Sequence, residues 1–287
     1  MSQRAEDAFR ADIVEVGRRM YRRGYVASND GNISIRLDAG AILTTPRSVS
    51  KGFMTPDMMV VVDLEGKKIR GTRDASSELL MHLEVYRSRP DVRAVVHAHP
   101  PTATGFAVAG IPLDRAVLAE VVTTLGSIPI AEYGTPSTPE LPAAVRKYIK
   151  AHDGLLLANH GALTVAGEVY AAYFKMETIE HFAKISLVAR QLGREHLLSR
   201  AEVHRLQELR GNYGIKAPAP ICADASAPAP SDTDQASCQN IEAPASAGAR
   251  LIPTDPADLD GEIRLSYREL TALIEDAVKA LLGGQHG

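Results

Sequence analysis

Between its start and about residue 214 the chain alternates helix-spaced hydrophobic residues with short β-like runs: GNISIRL, MMVVVDL, RAVVHAH, SIPIAEY and GLLLANHGALTV. Helices and strands interleaved at this spacing bury their apolar sides only by stacking in layers. The alternation therefore predicts a mixed α/β or α+β layered domain. A chain of 287 residues is long enough for a substantial core, as one large domain or as a domain with an appendage.

The alternation stops after GNYG. From Ala217 to Arg250 the sequence reads APAPICADASAPAPSDTDQASCQNIEAPASAGAR. Proline, alanine and small polar residues leave too little apolar surface there to offset chain entropy, so a disordered linker is expected. Beyond it, RLSYRELTALIEDAVKALLGG has the marks of a short amphipathic helix. Ser266 and Glu269 form a capping box, flanked by Leu265 and Leu270 as a hydrophobic staple. Leu270, Leu273, Ile274, Ala277 and Leu281 then recur on one face, and Gly283 stands at the expected stop. The predicted divisions are a layered domain over 1–214, a linker over 215–252 and a helical tail over 253–287. A helix this short is marginal alone in water, so its apolar stripe calls for a partner surface.

Composition excludes several classes. A net charge of -3 offers no broad attraction for nucleic acid. No run approaches the roughly 20 apolar residues that a membrane-spanning helix needs. The first twenty residues are charged throughout, with Phe9, Ile13 and Val16 at helical spacing, and lack the apolar stretch of a secretory signal. A cytoplasmic location is expected. Cys222 and Cys238, both in the linker tract, suggest neither a disulfide framework nor a metal knuckle.

Four short segments carry candidate chemistry. In AVVHAHP, period-2 alternation puts His97 and His99 on one face of a strand end, where two imidazoles can share a cation or simply pack. LLLANHGALTV delivers His160 beside a glycine, and a third imidazole would complete the protein ligands of a catalytic zinc site. DASSELLMHLEVY looks like a helix start with Ser76 or Ser77 as cap and Glu78 in the first turn. Its free N–H groups and two hydroxyls suit a phosphate, and Glu78 suits a base or a mere complement to the helix dipole. His82, on the same face, reads as a packing residue. In SNDGNISIRL, Gly31 and Asn32 offer a backbone N–H and an amide to an anion, or make a tight turn.

Taken in order, G-N-I-S, T-P-R-S-V-S-K-G, S-S-E, H-A-H-P and N-H-G resemble the class II aldolase/adducin family over roughly residues 8 to 214. The resemblance implies an α/β fold with a central, mainly antiparallel β-sheet flanked by helices. It also implies a homotetramer with active sites between neighbouring subunits. On that basis His97, His99 and His160 are the metal ligands, for Zn2+ or for Mn2+ or Co2+, which imidazole also suits. Glu78 is the acid/base, and Gly31, Asn32, Ser76 and Ser77 are the phosphate contacts. The reaction implied is retro-aldol cleavage of a ketose 1-phosphate of the fuculose or rhamnulose type to dihydroxyacetone phosphate and an aldehyde such as lactaldehyde.

Three positions depart from the family pattern. Arg47 and Ser48 follow Thr45-Pro46 where relatives often have Ser-Gly or Thr-Gly, so arginine either strengthens phosphate binding or receives a carboxylate. Leu118 stands about where the aldolase has a neighbour-subunit tyrosine, while Tyr213 in GNYG matches a C-terminal catalytic tyrosine. Family epimerases acting on pentulose 5-phosphates tend to carry S-S-D, so Glu78 favours the aldolase. Hydroxyacid decarboxylases and an adducin-like binding module are the other readings. The tail, finally, resembles an encapsulation peptide of bacterial microcompartments. Residues 263 to 283 are then expected to bind a shell protein, although such a helix can also dock on the tetramer or self-associate.

Overall fold

The computed structural model describes residues 3–37 and 40–212, together with Ile215, Cys238 and Thr271. Tyr213 and nearly all of the predicted linker and tail lie outside the described residues; Thr271, within the predicted tail helix, is helical. The expectation for the cysteines is corrected at Cys238, which is disulfide-bonded.

Helix α1 (Gln3–Arg22) leads to strands β1 (Asn32–Arg36), β2 (Ile42–Thr44), β3 (Val60–Val62) and β4 (Lys68–Arg70). Two 3-10 turns, Lys51–Phe53 and Pro56–Met58, lie between β2 and β3. Helix α2 (Leu79–Ser88), strand β5 (Ala94–Ala98), helices α3 (Pro101–Val108) and α4 (Ala119–Thr124), strand β6 (Ile130–Ala131) and helix α5 (Glu140–Ile149) follow. A hairpin of β7 (Gly154–Leu157) and β8 (Gly161–Ala166), then α6 (Val169–Gln191) and α7 (Arg200–Asn212), complete the described chain. All these elements belong to the first of two units, Met1–Ala243, the second being Pro244–Gly287.

One eight-stranded sheet runs in the order β4-β3-β2-β1-β5-β8-β7-β6. Every neighbouring pair is antiparallel except β6 with β7. Helices cover both faces, as the alternating side chains require. Ala94, Val96 and Ala98 of β5 join Ile33 and Ile35 of β1 in a core with α1, α3 and α6. Val95 of β5, Leu163 and Val165 of β8 face the other way, against α2 and α5. His97 has the parity of Val95 and is fully buried on the α2 side.

Candidate metal centre

The site forms where β5 and β8 end together. His97 pairs across the sheet with Asn32 of β1 on one side and Leu163 of β8 on the other, which fixes its height and face. His99 lies just past the strand, held by its backbone N–H to the Tyr25 carbonyl at 2.9 Å. His160 occupies the turn of the β7–β8 hairpin, after Asn159 at φ 54° and before Gly161 paired with Leu157. Two glycines make room for this convergence. A Cβ on Gly161 would stand 2.5 Å from the Ala98 carbonyl oxygen and 2.6 Å from the His99 ring. At Gly31 it would meet the His97 carbonyl oxygen at 2.8 Å, on a backbone with φ +70° that disfavours any side chain.

The three rings meet pairwise with centroids 4.7 to 5.0 Å apart, and one ring nitrogen from each lies within 4.8 Å of the others. His97 Nε2 and His99 Nε2 are 3.1 Å apart, close to the roughly 3.3 Å separating two nitrogens on one tetrahedral ion with bonds of about 2.0–2.1 Å. His97 Nδ1 donates to the Ala162 carbonyl at 2.9 Å, which leaves the Nε2 lone pair for the centre. His99 Nδ1 is 3.4 Å from the Asp30 carboxylate. His160 Nδ1 is buried without a hydrogen-bond partner. Three soft-to-borderline nitrogen donors with an outer carboxylate and carbonyl fit a divalent transition ion such as zinc.

Glu78 stands against this cluster. Its Oε1 is 2.9 Å from His160 Nε2, its Oε2 is 3.4 Å from His97 Nε2, and the Asn32 amide donates to Oε2 at 2.9 Å. Burial works to raise its carboxyl, but the His97 and His160 imidazoles outweigh this and hold it well below the ordinary carboxylate range. The helix starts later than the sequence implied. Glu78, not a serine, is the N-cap residue of α2 and makes no side-chain cap bond, so its carboxylate stays with the histidines. His99 is pushed down to about 3, first by burial and then by His97 and His160, with Glu78 opposing. His82 lies buried beneath the site with its Nδ1 2.7 Å from the Ser34 hydroxyl, outside the histidine cluster.

A polar cavity of ≈ 340 Å³ opens beside the cluster, with Glu78, His99 and His160 in its wall. Gly31, Asn32, Arg47, Ser48, Ser76 and Ser77 line the same cavity. Ser48 has φ 57°, and the Arg47 backbone N–H donates to the Asp74 carbonyl, so the segment after β2 is tied to the segment before α2. Lys51, Asp30 and Ser137 also line the cavity and were not singled out from the sequence. Lys51 fell within the quoted T-P-R-S-V-S-K-G, but nothing local marks that lysine as buried. Leu118 lines a different and larger cavity of ≈ 960 Å³ along α6, with Arg23, Tyr25 and Phe174.

A buried carboxylate, three convergent imidazoles and a polar cavity on a helix-flanked sheet are the architecture of a metal-dependent enzyme of the aldolase type. Residues 11–187 match the Class II Aldolase and Adducin N-terminal domain, and the chain belongs to that family. A 5-deoxy-D-ribulose 1-phosphate aldolase of Bacillus thuringiensis is 33% identical over 206 residues, spanning 71% of this chain and 96% of that protein. A 3-oxo-tetronate 4-phosphate decarboxylase of Pectobacterium atrosepticum is 31% identical over 188 residues, 64% of this chain and 86% of the relative. Among solved structures, an L-fuculose 1-phosphate aldolase superposes with a TM-score of 0.66 at 28% identity, over 72% of this chain and 96% of its own.

Proposed function

We propose that the chain cleaves a ketose 1-phosphate of the fuculose or rhamnulose 1-phosphate type into dihydroxyacetone phosphate and an aldehyde such as lactaldehyde. The observation that carries this reading is Glu78, 2.9 Å from His160 and 3.4 Å from His97, opening on the same cavity as the Ser76 and Ser77 side chains. A carboxylate at an ion site, beside donors suited to a phosphate, is what retro-aldol chemistry on a sugar phosphate uses.

His97, His99 and His160 hold the ion, with Zn2+ the first choice. Bound there, it supplies Lewis-acid stabilisation of the negative charge that develops as C3–C4 breaks. The protein does the rest. Gly31 N–H, the Asn32 amide and the Ser48, Ser76 and Ser77 hydroxyls receive the phosphate, with Arg47 at the rim. As C3–C4 breaks, the C4 hydroxyl gives up its proton and the carbonyl of the aldehyde forms; C3 of the dihydroxyacetone phosphate fragment, left with the electron pair of that bond, takes up one proton in exchange, and Glu78 delivers it. Tyr213, outside the described residues, is proposed as the second acid/base group, serving the aldehyde-side oxygen.

Arg47 favours one second reading. A guanidinium at the cavity suits a carboxylate as well as a phosphate, so decarboxylation of an oxo-acid phosphate is the alternative, supported by the similarity to a 3-oxo-tetronate 4-phosphate decarboxylase. Product analysis on fuculose, rhamnulose, ribulose and 5-deoxyribulose 1-phosphates separates the two. Dihydroxyacetone phosphate and a free aldehyde are expected; release of carbon dioxide from an oxo-acid phosphate, with no cleavage of any ketose phosphate, overturns the aldolase reading.

The homotetramer belongs to the same proposal. Among the described residues, no helix is long and apolar enough to cross a membrane. We assign the protein to the cytoplasm and, through residues 263–283, to the lumen of a microcompartment by contact with a shell protein. Fusing the tail to a fluorescent protein in cells that build shells is expected to give puncta; diffuse fluorescence contradicts this address.

A further inference from the structure

Lys51 is a lysine placed where lysines are seldom found. It is 1% exposed, yet it lines the polar cavity beside the histidine cluster. Its ammonium donates to the Asn29 carbonyl at 2.9 Å and to the Val49 carbonyl at 2.7 Å. These two contacts bridge the segment before β1 to the segment after β2. Both acceptors are neutral, so they satisfy two of three N–H groups without neutralising the charge. A buried cation that keeps one donor unassigned, in a cavity already lined by serine side chains and an arginine, is a receptor for negative charge.

We infer that Lys51 is the fixed cation of the substrate's phosphate subsite, and that it makes the enzyme discriminate phosphorylated from unphosphorylated ketoses. The inference rests on the sugar-phosphate reading of the cavity. Arg47, by contrast, is exposed at the rim, so its contribution is looser. Burial pushes the Lys51 ammonium down to about 8, with the Asp30 and Glu78 carboxylates opposing, so the charge persists at neutral pH. The lysine binds the anion and is not part of the proton transfer at C3.

The test uses the full chain loaded with zinc and inorganic phosphate as the probe. Phosphate is expected to raise the melting temperature of the unsubstituted protein in a saturable way. Lys51→Met keeps the apolar stem and removes the charge; it is expected to weaken phosphate about tenfold and to raise KM for the cleaved ketose phosphate by a similar factor, with kcat changed far less. Lys51→Arg restores most of the phosphate response. Where Lys51→Met fails to fold, Lys51→Gln, which returns a donor to the two carbonyls, serves in its place. Phosphate binding within twofold of the unsubstituted protein in a folded, uncharged variant overturns the role of Lys51. If the unsubstituted protein itself ignores phosphate and turns over unphosphorylated ketoses equally well, the sugar-phosphate reading falls, and this role falls with it.

Discussion

His97 lies inside a five-residue strand with a hydrogen-bonded neighbour on each side, whereas Arg47, Ser48, Ser76 and Ser77 sit on the connections between elements. The two groups meet within one site, yet they are held by different physics. A strand between two partners is fixed in register, and a slip of one residue would turn His97 to the opposite face. The connecting segments are held by a few backbone bonds, such as Arg47 to Asp74 and Ser76 to Thr45. The difference matches the division of labour. An ion needs ligand atoms placed to a few tenths of an ångström, while a phosphate, as proposed for the connecting segments, needs only enough donors in reach.

The comparison is broken most directly from the strand side. His97→Ala is expected to abolish turnover and to cost more in metal affinity than the ~10–100-fold that outer partners contribute, as read by metal content after dialysis. Retained zinc and activity would mean that the strand does not set the site. Glu78→Gln separates proton transfer from ion binding. Its kcat should fall by about 10²–10⁴ while the bound ion stays, since the amide keeps the shape and loses the base. Changes in the connections should be milder. Ser76→Ala is expected to raise KM about tenfold and to leave kcat and metal content nearly unchanged, the effect of one hydrogen bond to a charged group. The smallest effect expected is on pH. As pH rises through about 8, Lys51 loses its proton and KM for the ketose phosphate should climb a few-fold. Phosphate itself, with a second pKa near 6, is already a dianion in that range. Asp30 and Glu78 are the carboxylates that face the lysine. Lys51→Arg should flatten the rise; an unchanged profile would assign it to another group.

The parts of the site at the strand ends were legible in the sequence because AVVHAHP and GLLLANHGALTV are short apolar runs, buried on both faces, that lead into histidines. Those runs became β5 and the β7–β8 hairpin. Strands β2 and β4 gave no such signal. Each has three residues, and Lys68, Ile69 and Arg70 of β4 are all exposed, so no buried face imprints a pattern. The start of α2 was placed too early because Ser76 and Ser77 are good caps, while the structure spends that turn on the cavity and on Glu78. Lys51 was invisible for a different reason. It is buried by a distant element: Gly17 of α1 lies so close that an added Cβ would stand 2.8 Å from the Lys51 carbonyl oxygen. Non-local packing of that kind leaves no periodic trace.

The central claim is that three imidazoles at the sheet end hold one divalent ion that, with Glu78, cleaves a ketose phosphate. Its most direct measurement pairs metal content with turnover before and after chelation. One ion per chain, turnover lost with the chelator and restored by zinc, is the predicted result. A protein that binds no divalent ion, or that cleaves equally well once the ion is stripped, would contradict it.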